Sequence, residues 1–395
     1  MPAAFLRTAF EGTPRALLVS AVLYLLHLLL QGSISGSQIA LGLSIVALMV
    51  AIIKKQTEVR FHPLYFPLIL FIIASILSSL FSATRMNSLA DVGEAYSFLA
   101  FPLGLTLYRS IPRFHRVALS ALLVLAIYLS AHGAYQYFIK GYYQSLDFRI
   151  SGPTAHVMTF SGILLPISLL LLVASLDRPR PILLLATAAS TFALVLTFTR
   201  GAWLGWIAGF LTLLLLRRPR WIYWTAPLFV LALTFSPLAV FGRFVSSFNL
   251  QHASNLDRVR MLQAGAEIID DHPIFGVGPT NITEFYPLFR KTDAPRFKIP
   301  HLHNNVVQIW AERGFLAVLA YGLILYLLAA QCFRARQVGE HRLYAEAGLI
   351  ALVAISVSGL FEYNFGDTEV QMTMLDLFAL VISRIESKPP WTADL

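Results

Sequence analysis

The 395-residue chain is 57% hydrophobic and 13% charged, with a mean hydropathy of +0.68 and a formal net charge of +9. A soluble chain of this length would need far more polar surface to cover its core, so the composition excludes a soluble globular protein. The basic balance does not require nucleic-acid binding, because lysine and arginine collect in the loops that set membrane topology. The composition therefore predicts an all-α polytopic integral membrane protein in contact with membrane lipids.

Twelve apolar runs approach the roughly 20 residues that a helix needs to cross a bilayer. The segment before the first run contains Glu11, Gly12 and Pro14 and lacks a small-residue cleavage site, so we interpret that run as a retained span. Cys332 is the one cysteine, which leaves no intramolecular disulfide. We predict one membrane domain, residues 1–395, with spans at about 16–31, 36–53, 63–82, 94–108, 116–138, 156–175, 181–198, 202–216, 221–241, 314–333, 343–362 and 367–384.

Loop charges predict the orientation of these spans. An even number of spans leaves both termini on the same side, and most lysines and arginines fall in the loops of that side, which predicts cytoplasmic termini. The short loops of the opposite side hold only Arg85, Lys140, Arg149 and Arg200. Residues 242–313, between spans nine and ten, form a long region predicted to be periplasmic and to contain short helices. Its mixed charge agrees with this placement, because long loops translocate largely regardless of charge.

Arg200 lies in TFTRGAWLG, a tight turn between spans seven and eight. An interfacial arginine can simply reach the headgroup phosphates. The short connection instead suggests a guanidinium that two helices hold in place, which suits bidentate recognition of a phosphate. Both interpretations stay open at this point.

The long region contains SNLDRVRMLQAGAEIIDDHPIFGVGP, which predicts a helix that starts near Ser254 or Asn255 and ends at His272–Pro273. A helical wheel places Arg258 at the edge of the apolar face and Arg260 on the opposite side, where it is a candidate for an ordinary solvated charge. Arg258 is the better functional candidate, since a cation turned toward apolar neighbours is costly unless it meets an anion. The predicted apolar face consists of Val259, Leu262, Ala266 and Ile269.

The stretch HLHNNVVQIWAERGF, residues 301–315, places two histidines where a helix is predicted to run through 305–313 into span ten. The positive end of a helix dipole disfavours an imidazolium at His303, and a neutral imidazole is what a general base requires. The alternative is that His303 and Asn304 only cap the helix and face headgroups. His301 has an equally plain interpretation as a loop residue without a role.

Metal and cofactor motifs are missing from the sequence. It contains no HExxH, no Cys/His cluster and no P-loop pattern, and the predicted outside loops carry no Asp-x-Asp pair. We therefore predict a site built from arginine and histidine, with no metal and no cofactor.

Several of these stretches together resemble the O-antigen ligase and polymerase superfamily. His303-Asn304, nine residues and Gly314 is similar to its signature, although Ala317 stands where the family has Gly, Thr or Tyr. TRGAWLG resembles the family's Ser/Thr-Arg-Gly turn, and RISGPTAH its Arg-x-x-Gly stretch. The segment from Arg258 to Gly278 resembles the family's arginine-led helix and its Pro-x-x-Gly-x-Gly turn.

The resemblance implies an enzyme of the bacterial inner membrane that transfers a glycan from undecaprenyl diphosphate on the periplasmic face. A ligase passes the glycan to lipid A–core, and a polymerase passes it to another repeat unit. His303 would deprotonate or orient the acceptor, and Arg200 and Arg258 would stabilise the departing diphosphate in an inverting, metal-independent transfer. The implied substrate-binding residues are Arg149, Asn304, Arg260, His301, Gly276 and Gly278.

Three further interpretations stay open besides the ligase. A polymerase would use the same site, and a single dominant outside loop favours the ligase over it. A lipid-linked glycan flippase or another transporter would more often place ionisable residues in mid-span or use paired broken helices. A non-catalytic scaffold would leave the outside arginines unexplained.

Overall fold

The computed structural model of the protein describes residues 9–144, 149–225, 227, 241–242, 245–246, 249, 253–338 and 341–386. Within these ranges all regular elements are helices, which confirms the all-helical prediction. The α-helices, numbered in chain order, are α1 Arg15–Leu29, α2 Ile34–Ile53, α3 Tyr65–Phe81, α4 Arg85–Val92, α5 Ala100–Ser110, α6 Phe114–Ala134, α7 Val157–Asp177, α8 Pro181–Leu196, α9 Arg200–Arg217, α10 Ala253–Asp271, α11 Ile282–Phe289, α12 Asn305–Val338, α13 Arg342–Ser358 and α14 Thr368–Ile385.

Four helices of the described part are long and apolar enough to cross a membrane: α2, α6 with its extension to Ile139, α7 and α12. The helices α1, α3 and α8 are apolar but shorter. These helices support a membrane protein, but they do not support the predicted number of about twelve spans. The run at 94–108, for example, begins as a 3₁₀ helix, Gly93–Leu99, and only Ala100–Ser110 is α-helical. The run at 221–241 lies largely outside the described residues.

Helix α13 packs against α7, α9 and α12, and α14 packs against α5, α7 and α13. Glycines of α9 allow the close approach of α13. A Cβ at Gly205 would lie 2.5 Å from the carbonyl oxygen of Ala354, and one at Gly209 would lie 3.0 Å from that of Ile350. Small residues commonly allow such backbone contact between membrane helices. The contact fixes the end of α13 beside the start of α9.

The region between α9 and α12 has a small core of its own, in which Met261 and Ile268 of α10 pack with Tyr286 and Leu302. The predicted apolar face of α10 was wrong, because Val259 and Leu262 are exposed. The helix instead buries Gly265, where a Cβ would lie 2.5 Å from Val307, so backbone approach outweighs side-chain hydropathy here. The buried face consists of Asp257, Met261, Ala264, Gly265 and Ile268.

Candidate functional site

A cavity of about 690 Å³ opens where the start of α12 meets the segment between α13 and α14. His301 and His303 line it from one side, and Glu362 lines it from the loop after α13. Two arginines, Arg296 and Arg313, and four further carboxylates make up the rest of its charged wall; the carboxylates are Asp91, Glu94, Glu312 and Asp367. The polar residues before α12 thus lie in a cavity wall and not along a plain helix surface.

His303 is placed by the backbone turn that precedes α12. Its φ of 52° lies in the left-handed region, and α12 begins two residues later at Asn305. Asn304 is the cap: its Oδ1 accepts a hydrogen bond from the Val307 amide at 3.0 Å, and its Nδ2 donates to the Leu360 carbonyl at 3.1 Å. Asn304 therefore caps and braces the helix, as the alternative interpretation expected. His303 itself projects from the turn before it.

Glu362 is the partner of His303, and the sequence analysis did not single it out. His303 Nδ1 lies 2.8 Å from Glu362 Oε1, and both side chains are largely buried. Arg258 lies 3.8 Å from the other carboxylate oxygen, and His301 Nδ1 lies 3.9 Å from Oε1. The polar run FEYNFGDTE, which overlaps the end of the predicted span 343–362 and the start of the span 367–384, was the available signal. Carboxylates contribute little to topology, so loop charges did not point to Glu362.

The contact with Glu362 bears on the tautomer of His303. Because a carboxylate only accepts hydrogen bonds, a contact of 2.8 Å with Nδ1 favours the tautomer that carries its proton on Nδ1 and leaves Nε2 as an acceptor. Burial tends to raise the pKa of Glu362, but His303, His301 and Arg258 outweigh it and the pKa is lowered. Burial together with His303 lowers the pKa of His301 to about 4. Near neutral pH, the cluster therefore combines an ionised carboxylate with a neutral His301.

Arg200, at the start of α9, contacts the face of α10 that carries Arg258. Arg200, 7% exposed at the start of α9, donates from Nη2 to Ser254 Oγ at 3.1 Å. Ser254 and Arg258 are four residues apart and so share one face of α10. Gly201 packs against Phe361, since a Cβ built at this glycine would lie 3.1 Å from Phe361 Cβ. The start of α9 therefore lies beside the residue that precedes Glu362. The structure thus joins Arg200, Arg258 and His303 through a chain of contacts.

Arg149 and Arg260 have other partners. Arg149 donates to the Thr197 carbonyl and to Thr199 Oγ1, both at 2.8 Å, and so braces the turn that presents Arg200. Arg260 pairs with Asp293 and donates to Gln263 at 2.7 Å. Neither arginine lines the cavity, and neither do Arg200 and Arg258, but Arg258 differs in its contact with the lining residue Glu362. The structure therefore places the two predicted substrate-binding arginines in structural contacts.

Gly276 and Gly278, both with positive φ, dock the turn after α10 onto α12. The Val277 and Gly278 amides donate to the carbonyls of Ala311 and Glu312 at 2.9 and 2.8 Å. A Cβ at Gly276 would lie 2.5 Å from the Glu312 carbonyl oxygen, so a larger residue has no room. These glycines therefore position the cavity wall through the backbone.

Gly314 breaks α12 with a φ of 74°, and a Cβ there would lie 2.0 Å from the carbonyl oxygen of Ile274. Just before the break, Arg313 reaches Asp91 at 2.7 Å, Glu312 at 2.6 Å and Tyr363 at 3.1 Å. Ala317, the position that departs from the family signature, is fully buried, so a small residue fits the packing there. The signature thus combines a titratable side chain, His303, with a break in α12 at Gly314 that positions the cavity wall.

The three side chains His301, His303 and Glu362 each offer a ligand atom within 4.8 Å of the others, which is close enough to hold a metal ion. The sequence did not predict this grouping. Arg258 lies beside the carboxylate, and both Arg258 and Arg296 repel positive charge at His301. These two guanidinium groups oppose the binding of a cation and favour an anion.

Residues 185–322 match the family model described as O-antigen ligase. The chain carries an O-antigen ligase domain. This match supports the family that the motifs resembled, and that family suggests glycosyltransferase-type activity, with lipid-linked glycan and lipid A–core as partners in general. No curated protein matches the chain.

The O-antigen ligase domain contains Arg200, Arg258, His301 and His303 and ends before Glu362. The carboxylate that completes the cluster therefore comes from outside the matched residues. Arg149 also lies outside them, as does the segment RISGPTAH.

Proposed function

We propose that the protein is an O-antigen ligase-type glycosyltransferase that moves a glycan from undecaprenyl diphosphate to lipid A–core at the periplasmic face of the bacterial inner membrane. The observation that carries the proposal is the contact of 2.8 Å between His303 and Glu362, in a cavity whose wall also contains Arg296 and Arg313. It supplies an oriented base next to groups that suit a diphosphate.

In the proposed step, an acceptor hydroxyl attacks the anomeric carbon of the donor sugar from the face opposite the diphosphate. The new bond forms to the acceptor oxygen, and the bond from the anomeric carbon to the phosphate oxygen breaks with its electron pair staying on the diphosphate. The acceptor proton passes to Nε2 of His303. Configuration inverts because attack and departure occur on opposite faces.

Glu362 and the arginines have separate tasks in this proposal. Glu362 holds the imidazole in the tautomer that accepts the proton and stabilises the imidazolium that forms, as the carboxylate of a Ser-His-Asp triad does. Arg200 and Arg258 stabilise the charge that develops on the leaving diphosphate. The step uses no metal and no cofactor.

An apolar recess of about 310 Å³ adjoins the cavity and shares Arg313 with it. We assign this recess to the first part of the prenyl chain, because its other walls are apolar and the diphosphate would then lie beside the basic groups. It is lined by Leu77, Ile274, Phe275, Trp310, Phe315 and Leu316.

Transfer by the purified protein in detergent tests the proposal, with lipid-linked glycan as donor and lipid A–core and a second repeat unit as competing acceptors. Product on lipid A–core supports the ligase. Product on the repeat unit alone would identify a polymerase. Movement of intact donor across vesicles without any transfer would identify a flippase and reject the enzyme.

The proposed orientation has its own experiment. Reporter fusions after residues 57, 112, 179, 219 and 338 should report the cytoplasm, and fusions within 242–300 should report the periplasm, because basic loops stay inside. Most basic loops of the chain lie at the helix ends opposite the cavity, which supports this orientation. A cytoplasmic signal from residues 242–300 would place the cavity on the wrong side for the proposed substrates.

A further inference from the structure

A second recess, of about 840 Å³, lies at the helix ends opposite the cavity. It forms where α6 and α13 begin and where α7 and α14 end, with the start of α8 beside them. Five arginines contribute to its lining: Arg116, Arg178, Arg180, Arg342 and Arg384.

The recess carries a marked excess of positive charge. Asp177 is the single acidic side chain among the described residues that line it, and it lies 3.7 Å from Arg217. Arg342 is paired with Glu346 at 2.8 Å. Within the described part of the chain, no side-chain hydrogen bond or ion pair is formed by Arg116, Arg178 or Arg180. Guanidinium groups gathered around a recess without matching carboxylates favour a bound anion.

The remaining walls of this recess are apolar. Leu170 and Leu171 of α7 form its floor, and both are buried. Leu119 and Leu123 continue the apolar surface along α6, toward the interior of the bilayer. A soluble phosphate would leave this surface unused, whereas the acyl chains of a lipid would cover it. Basic pockets between membrane helices bind anionic lipid headgroups in this way.

We propose that this recess binds an anionic phospholipid of the adjacent leaflet. The arginines hold the headgroup phosphate, and the acyl chains lie along the leucines of α6 and α7. The bound lipid bridges the ends of α6, α7, α13 and α14, and the last three of these lead to the cavity at their other ends. The proposal does not depend on the proposed transfer reaction.

The test measures lipid binding by the purified full-length protein, with native mass spectrometry and thermal unfolding in detergent. Phosphatidylglycerol should bind and raise the unfolding temperature more than phosphatidylcholine with the same acyl chains. The triple variant Arg116→Gln/Arg178→Gln/Arg180→Gln should weaken phosphatidylglycerol binding at least about tenfold, since each basic residue near a membrane surface contributes appreciably. The single variant Arg180→Gln, at an exposed position, should show a smaller loss of phosphatidylglycerol binding. It replaces the triple variant in the test if the triple variant does not fold.

The control Lys54→Gln/Lys55→Gln/Arg60→Gln removes three charges from helix ends on the same side but outside the recess. It should bind phosphatidylglycerol as the wild type does. An equal loss in the control would mean general surface attraction and would refute a specific site. Unchanged binding in both recess variants would also refute it. An equal thermal shift with inorganic phosphate alone would indicate a soluble anion and overturn the lipid assignment.

Discussion

Replacing Glu362 by glutamine tests the central contact of the site with a change of one functional group. Glutamine has a similar shape but no charge, and its amide can face His303 Nδ1 with either an oxygen or an NH₂ group. The base would therefore lose both the preference for one tautomer and the counter-charge for the imidazolium. Glu362 is buried and His303 Nδ1 lies 2.8 Å from it, so solvent replaces little of this interaction.

A hydrogen bond to a charged group contributes about 1.5–3 kcal/mol. At about 1.4 kcal/mol for each factor of ten, its loss should lower the turnover number of Glu362→Gln by about 10–10²-fold. His303→Ala should cost more, about 10²–10⁴-fold, because it removes the base itself. Donor binding should change little in His303→Ala.

The assay is initial-rate transfer by purified protein over a range of donor concentrations, with donor binding measured separately. The double variant His303→Ala/Glu362→Gln is the decisive measurement. If Glu362 acts through His303, the double variant should be no slower than His303→Ala, since residues that act as one unit are not additive. If the double variant instead loses turnover by the product of the two single losses, the coupling is refuted, and the result would indicate that Glu362 acts through Arg258. Glu284→Gln is the matched control, because this exposed carboxylate pairs with Lys298 and lies outside the cavity. It should stay within a few-fold of wild type.

The two arginines of α10 should differ: Arg258→Ala should lower transfer at least about 10²-fold, the typical loss of a strong electrostatic stabiliser, while Arg260→Ala stays within a few-fold. An essential Arg260 with a dispensable Arg258 would contradict the site. Transfer should persist in excess EDTA. If EDTA abolishes transfer and Mg²⁺ or Mn²⁺ restores it, the result would instead indicate that His301, His303 and Glu362 bind a metal ion. His303→Gln should lower transfer about 10²–10⁴-fold, because glutamine cannot take up the acceptor proton. His301→Gln should have a smaller effect, since His301, with a pKa of about 4, and Glu362, with a lowered pKa, both keep their charge state near neutral pH. Transfer by His303→Gln close to that of the wild type would rule out His303 as the base.

The sequence by itself determined the class of the protein and the location of much of its chemistry. Composition alone requires a helical membrane protein, because the apolar residues exceed what a soluble fold can bury. Local motifs with fixed spacing, such as His303-Asn304 before Gly314, indicated the family that residues 185–322 match. Such motifs can be recognised in the sequence because they depend on residues close together in the chain.

The number of membrane-crossing helices was less predictable. An apolar run shows that a segment prefers lipid or a core, but not how much of it forms one regular helix. The run at 94–108 shows this, since it contains a 3₁₀ segment and only a short α-helix. The buried face of α10 also needed the tertiary structure, because Gly265 decides it by close packing and not by hydropathy.

Only the tertiary structure decided what each polar residue contacts. Glu362 lies far from His303 in the sequence, and no local pattern pairs them. The contact exists because α13 packs beside α12 and because the Asn305 backbone amide donates a hydrogen bond of 2.7 Å to the Gly359 carbonyl, which brings the loop after α13 to the start of α12. Arg258 and Arg260 likewise look alike in the sequence, and their partners, Glu362 and Asp293, distinguish them. Partners of this kind come from distant segments, so packing and not local sequence determines them.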